Sequence, residues 1–155
     1  MGETLSGILD ERCVKLDLKA RRKPDVLGEL SEVLAAVHDI DDPSALAEEL
    51  AEREKLSSTG IGNGIAIPHK LSGRVRQTGM AFARAPRGVK FDAVDRQPVR
   101  LFFLLVGPEN THTEHLKLLS RLSRYLHDPG FVRGLLEAAT PQDVLDVFRQ
   151  REAAG

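Results

Sequence analysis

At 155 residues, with 41% hydrophobic and 29% charged residues and a formal net charge of −1, the chain has the size of one domain over 1–155 and a soluble globular composition, with no field to draw in nucleic acid. Its single cysteine, Cys13, has no partner for an internal disulfide, and zinc would need more ligands than the pair His112 and His115 supplies, so neither a structural staple nor a metal is expected. The N-terminus lacks a signal peptide's basic and apolar regions and no apolar run is long enough to span a membrane, which makes the cytoplasm the expected location and excludes direct membrane insertion.

Alternation over 13–18 predicts a first strand that takes in Cys13 as an ordinary strand residue. Val26, Leu27, Leu30, Val33, Leu34 and Val37 recur at helical spacing and predict a helix over 24–37, with Pro24 in its first turn. Asp42-Pro43 repeats that start signal and opens a second helix running through Leu46 and Leu50 towards Arg53. Further strands are predicted over 65–67, 79–85 and 99–106, the last continuously apolar and therefore central to the sheet. Leu116, Leu118, Leu119, Leu122, Tyr125 and Leu126 give a third helix whose first turn holds Glu114 and His115. Asp128-Pro129 and Thr140-Pro141 start two short helices over 131–138 and 144–148. Helices alternating with strands predict an α/β layer fold with helices on both sheet faces.

The run from Ser57 to His69 concentrates the candidate chemistry. Gly60, Gly62 and Gly64 form a flexible turn, Ile65-Ala66-Ile67 reads as a small buried strand, and Pro68 stops the ladder beside His69. The spacing fits neither a phosphate-binding G-x-x-x-x-G-K-[ST] loop nor a dinucleotide fingerprint, because the turn runs into a strand and a proline where a helix would have to open. A neutral imidazole held through one ring nitrogen is nucleophilic at the other, so His69 is the candidate phosphoryl acceptor; which nitrogen attacks is not legible here. Such turns are also common before strands, and a histidine after a proline also serves simply to end one.

Arg53-Glu54-Lys55-Leu56, Ser58 to His69, Phe91 to Val99 and Glu114 to Leu119 together resemble, in this order and across about 4–150, the enzyme IIA domains of the fructose/mannitol class of the bacterial phosphoenolpyruvate-dependent phosphotransferase system. The resemblance implies a mixed sheet, a phosphohistidine formed on the Nε2 atom of His69, and roles for His115 and Arg53 as donors to the phosphoryl oxygens. It implies no cofactor. Asn63 and Gly64 are candidates for orienting the same group, although a plain turn asparagine fits equally. The family usually carries glycine after the active histidine, where this chain has Lys70; a positive φ there would mean strain, and an ordinary φ would leave an added cation. In a bacterial-type domain the nominal M-G-x-x-x-[ST] of Gly2 and Ser6 is a chance match.

The implied function is a phosphocarrier that takes a phosphoryl group from the histidine phosphoprotein HPr or a paralogue. Gly62-Asn63-Gly64 and Phe91 to Asp95 look most like the nitrogen-regulatory branch, which acts on regulatory target proteins through its phosphorylation state. The alternatives are a sugar-specific component that passes phosphate to a IIB subunit for fructose or mannitol uptake, and a binding module without transfer. Docking would need an apolar ring around His69, for which Leu71, Met80, Phe82 and Phe91 are the candidates, each equally suited to the core. His38 and His127 sit near predicted helix C-termini and read as structural.

Overall fold

The computed structural model describes residues 4–155, so the Gly2 motif lies outside the described residues. Two 3-10 turns, Ser6–Ile8 and Glu11–Cys13, lead into β1 (Val14–Lys15), followed by α1 (Lys23–Ala35), α2 (Pro43–Leu56), β2 (Gly60–Gly62), β3 (Ile65–Ala66), β4 (His69–Leu71), β5 (Gly79–Val89), β6 (Val99–Gly107), α3 (His112–Leu126), α4 (Pro129–Glu137) and α5 (Pro141–Ala153). The strands form one six-stranded mixed sheet in the order β1-β5-β6-β3-β2, with β4 also paired to β6. β5 and β6 are antiparallel, while β1 on β5 and both β3 and β4 on β6 are parallel.

Two aromatic contacts fix which helices cover which face. Phe102 packs against Phe91, and Phe91 lies under the Lys23 ammonium of α1. Its neighbour Phe103 points the other way and meets Phe148 of α5. Alternation along β6 therefore separates an α1/α2 layer from an α3/α4/α5 layer, and β6, buried at every position but Arg100, runs through the centre as its apolar sequence requires.

The helix starts follow the predicted chemistry. Asp42 accepts from the Ala45 amide, Asp128 from Gly130, and Thr140 shares a reciprocal capping box with Asp143. α5 runs well past the expected 144–148 because its last turns, Arg149 to Ala153, carry no apolar signal to reveal them. β5 likewise continues through Pro86-Arg87-Gly88, which reads as a turn in sequence and is a register shift in the sheet, with Gly88 at φ 78°. At the start of the chain the predicted strand shrinks to two residues: Cys13 closes a 3-10 turn under the Asp10 cap, and the chain bends away at Leu16-Asp17. Cys13 ends that turn, fully buried, and burial pushes its thiol up to about 11, which leaves it an inert packing group.

Candidate functional site

The glycine run builds a hairpin. β2 and β3 pair antiparallel across Asn63-Gly64, both at positive φ (57° and 77°), as a two-residue type I′ connection demands. Asn-Gly is a strong hairpin signal that the reading of a flexible turn did not use. Gly60 is required for another reason: a Cβ there would stand 2.8 Å from the Ala93 Cα, so only glycine lets the backbones meet.

After β3 the chain breaks at Ile67-Pro68 and resumes along the same edge of β6. Ile65 and Ala66 pair with Leu101 and Phe102, and His69, Lys70 and Leu71 with Leu105, Val106 and Gly107. Pro68 thus interrupts the ladder where the sequence reading had it stop, and His69 opens a strand. At the interruption Ile67 gives its N–H to the Thr59 carbonyl, 3.0 Å, and leaves its own carbonyl to the imidazole two residues on.

That carbonyl lies 2.6 Å from His69 Nδ1. A carbonyl only accepts, so Nδ1 carries the proton and the lone pair of the neutral ring resides on Nε2. Among the described residues no hydrogen bond engages Nε2, and it is not among the buried unpartnered atoms. Burial holds the His69 pKa below its ordinary value; the Ile67 bond opposes that, the Arg53 charge adds to it, and the Glu54 charge opposes it again. The ring is neutral and half-buried at neutral pH.

On the same face α3 presents His115, its ring centroid 5.7 Å from that of His69 with planes tilted by 48°. His115 is buried, its Nδ1 has no partner, and its pKa is pushed down to about 4, first by burial and then by the charges of His69 and His112. A buried polar atom without a partner costs about 1–3 kcal/mol, which sets His115 apart from an ordinary helix residue. Arg53, in the last turn of α2, folds its guanidinium onto the Ser57 carbonyl at 2.9 Å, close enough for its charge to bear on His69. No three His, Cys, Asp or Glu side chains among the described residues converge to hold a metal ion.

A neutral imidazole with a free Nε2, a second imidazole with an unanswered nitrogen and an adjacent guanidinium make a site suited to an oxyanion arriving at Nε2. The family described as phosphoenolpyruvate-dependent sugar phosphotransferase system, EIIA 2, matches residues 7–151. The chain belongs to this EIIA type-2 family. It is 34% identical over 148 residues to the fructose-specific EIIABC component of Bacillus subtilis, an alignment that covers 96% of this chain and 23% of that longer protein. It is 34% identical over 149 residues to the nitrogen regulatory protein of Escherichia coli, covering 96% of this chain and 91% of the relative. The nitrogen regulatory protein IIA-Ntr of Neisseria meningitidis superposes with a TM-score of 0.85 at 33% identity, covering 92% of this chain and 97% of that one. The complex of mannitol enzyme IIA with phosphorylated enzyme IIB from Escherichia coli matches at 0.75 and 25% identity, over 90% and 96% of the two chains.

This IIA domain does not bring every expected residue to the imidazoles. Gly64 bonds the Arg100 and Leu101 amides, four residues along β6 from the Leu105 that pairs with His69, which sets the backbone of the turn about 13 Å along the strand from that of His69. Asn63 is exposed there, and its amide donates to Asp95 at 2.9 Å. These two residues shape the hairpin and do not line the imidazole pair. Met80, Phe82 and Phe91 are fully buried core residues; of the expected apolar ring only Leu71 is partly open. Among the described residues the exposed large apolar side chains are instead Leu56, Ile61, Val94, Leu116 and Leu136, of which Leu56 and Leu116 lie in the helices that carry Arg53 and His115. Lys70 has no positive φ, so it carries no left-handed strain, and alternation along β4 turns it to the face opposite His69. His38 follows α1 with its Nε2 buried against Gly79, and His127 caps α3 through the Ser123 carbonyl at 2.8 Å.

Proposed function

We propose that the domain is a phosphocarrier whose His69 accepts a phosphoryl group on Nε2 from an HPr-like phosphohistidine donor. The observation that supports this most is the bond from Nδ1 to the Ile67 carbonyl, which leaves the Nε2 lone pair as the nucleophile. In the step, the lone pair forms the new N–P bond, the donor's N–P bond breaks and returns its electron pair to the donor imidazole, and the proton stays on His69 Nδ1, hydrogen-bonded to the Ile67 carbonyl, throughout. His115 and Arg53 serve as donors to the phosphoryl oxygens, with His115 supplying an N–H from whichever nitrogen is protonated. Leu56 and Leu116, 84% and 52% exposed, are suited to contact the visiting protein.

The phosphorylated state is read by partners. Phosphate adds about −1.5 to −2 charge and strong acceptors to a chain of net charge −1, enough to make two electrostatically distinct versions of one surface. We favour the nitrogen-regulatory reading, which agrees with the fold match to the Neisseria protein. The fructose-specific relative and the mannitol IIA–IIB complex support the alternative, onward transfer to a IIB subunit. The transfer-deficient binding module loses its one sequence argument with the unstrained Lys70 backbone.

Incubation with phosphoenolpyruvate, enzyme I and HPr followed by intact mass tests the proposal. One acid-labile phosphoryl group in the wild type, absent from His69→Ala, is expected; an unmodified wild type contradicts it. Adding a purified fructose or mannitol IIB then separates the branches: rapid loss of the label favours the sugar-specific reading, and retention favours the regulatory one.

A further inference from the structure

A continuous hydrogen-bonded track leads from the N-terminus of α1 to the ring of His69. Lys23 Nζ lies 3.1 Å from Glu54 Oε1, and the Glu54 carboxylate accepts the Thr59 amide through both oxygens, at 3.1 and 3.2 Å. Thr59 accepts the Ile67 amide at 3.0 Å, and Ile67 accepts His69 Nδ1 at 2.6 Å. Glu54 is a carboxylate only 6% exposed near the end of α2, one residue past Arg53. Lys23 is held in place as well, donating to the Phe91 carbonyl at 3.4 Å, facing Asp92 at 3.7 Å and lying 4.5 Å above the Phe91 ring.

A surface residue in the last turn of an amphipathic helix needs none of this. Burying a carboxylate is costly unless it is paired and bonded, and here its bonds go to a lysine and to the loop that supports the histidine. We propose that Glu54, anchored by Lys23, is a positioning residue that fixes the Thr59 and Ile67 backbone and thereby keeps the proton of His69 on Nδ1 and its lone pair on Nε2. The proposal rests on the reading of His69 as phosphoryl acceptor for its consequence in rate, while its effect on the ring needs no phosphate. The charged and titratable groups around His69 are Arg53 and Glu54 from α2 and His115 from α3, with His112 beyond His115 and Lys23 and Asp92 flanking Glu54.

The test is long-range proton–nitrogen NMR of the histidine rings in the full chain, for the wild type, Glu54→Gln and Glu54→Ala. Gln keeps one acceptor oxygen for Thr59 and loses the ion pair; Ala loses both. The expected order for the share of His69 protonated on Nδ1 is wild type, Gln, Ala, with the midpoint of His69 titration moving to lower pH in both variants as the Glu54 charge is removed. Phosphorylation from HPr slows in the same order, by about tenfold to a hundredfold in Ala, the scale of a misoriented reacting group. An unchanged tautomer share in a folded Gln variant overturns the proposal. Should Ala fail to fold, the Gln variant still decides, since it keeps the side-chain volume and one acceptor oxygen for the Thr59 amide. A wild type that takes up no phosphoryl group while the tautomer order holds leaves the positioning role standing and removes the acceptor reading.

Discussion

Two neighbouring imidazoles, both held below the ordinary histidine pKa, make acid conditions the sensitive direction for this molecule. An unfolded His115 takes up a proton near pH 6.5 and the folded one only near 4. Between those values the unfolded chain binds more protons, so stability rises with pH across the window and is lost as pH falls through it. The difference of about 2.5 units corresponds to on the order of 3 kcal/mol, and His69 adds to it in the same direction. Urea unfolding at pH 7 and pH 4.5 should show this loss, and His115→Gln, which cannot charge, should reduce it. Activity follows the same sign: phosphorylation should rise as His69 deprotonates and level off by about pH 7. Losing a charge-assisted bond of about 1.5–3 kcal/mol predicts that His115→Ala slows transfer in quench-flow by roughly ten- to a hundredfold, while His69→Ala abolishes it. At this scale the sequence drew attention to His69, and the family motifs to His115 and Arg53, but nothing in it singled out Glu54. His69 stands out because glycine, β-branched residues and proline punctuate the chain around it. The Glu54 carboxylate is buried where Lys23 of α1 and the Thr59 amide meet it, an arrangement that only the folded chain creates.

The elements that hold the site depend on backbone groups satisfied at a distance. Arg84 of β5 donates from Nη1 to the Leu135, Leu136 and Ala138 carbonyls at 3.1, 3.0 and 2.7 Å, satisfying the open end of α4. Arg84→Met should therefore cost about 2 kcal/mol in denaturant unfolding, more than the roughly 1 kcal/mol expected for removing the Thr140 cap of α5. Equal, negligible costs would show that α4 is held by packing alone. The helices were legible because apolar spacing and the Asp-Pro and Thr-Pro starts act locally. Short strands were less so: β1 was expected over 13–18 but is two residues long, and β2 and β4, three residues each, were not expected, because the neighbour across the sheet decides such strands. Asn63-Gly64, weighed both as a plain turn and as a group orienting the phosphoryl, turns the β2–β3 hairpin.

For the whole molecule, a mixed sheet clad on both faces by helices follows from alternating periodicities, and the apolar run of β6 sits where its composition demands. The surface around the histidine did not follow, because Met80, Phe82 and Phe91 look the same in sequence whether they face a partner or the core. A chain so nearly neutral should respond strongly to added phosphate. A pull-down with His69→Asp and His69→Ala should recover different partner sets, with exposed Leu56 and Leu116 required for at least one; identical sets would argue against a phosphorylation-dependent surface. The most direct measurement is nitrogen–phosphorus NMR of the histidine-labelled chain after phosphorylation by HPr. Phosphorus coupled to Nε2 of His69, with the proton still on Nδ1, is the predicted result; phosphorus on Nδ1, on another histidine, or on none would contradict it.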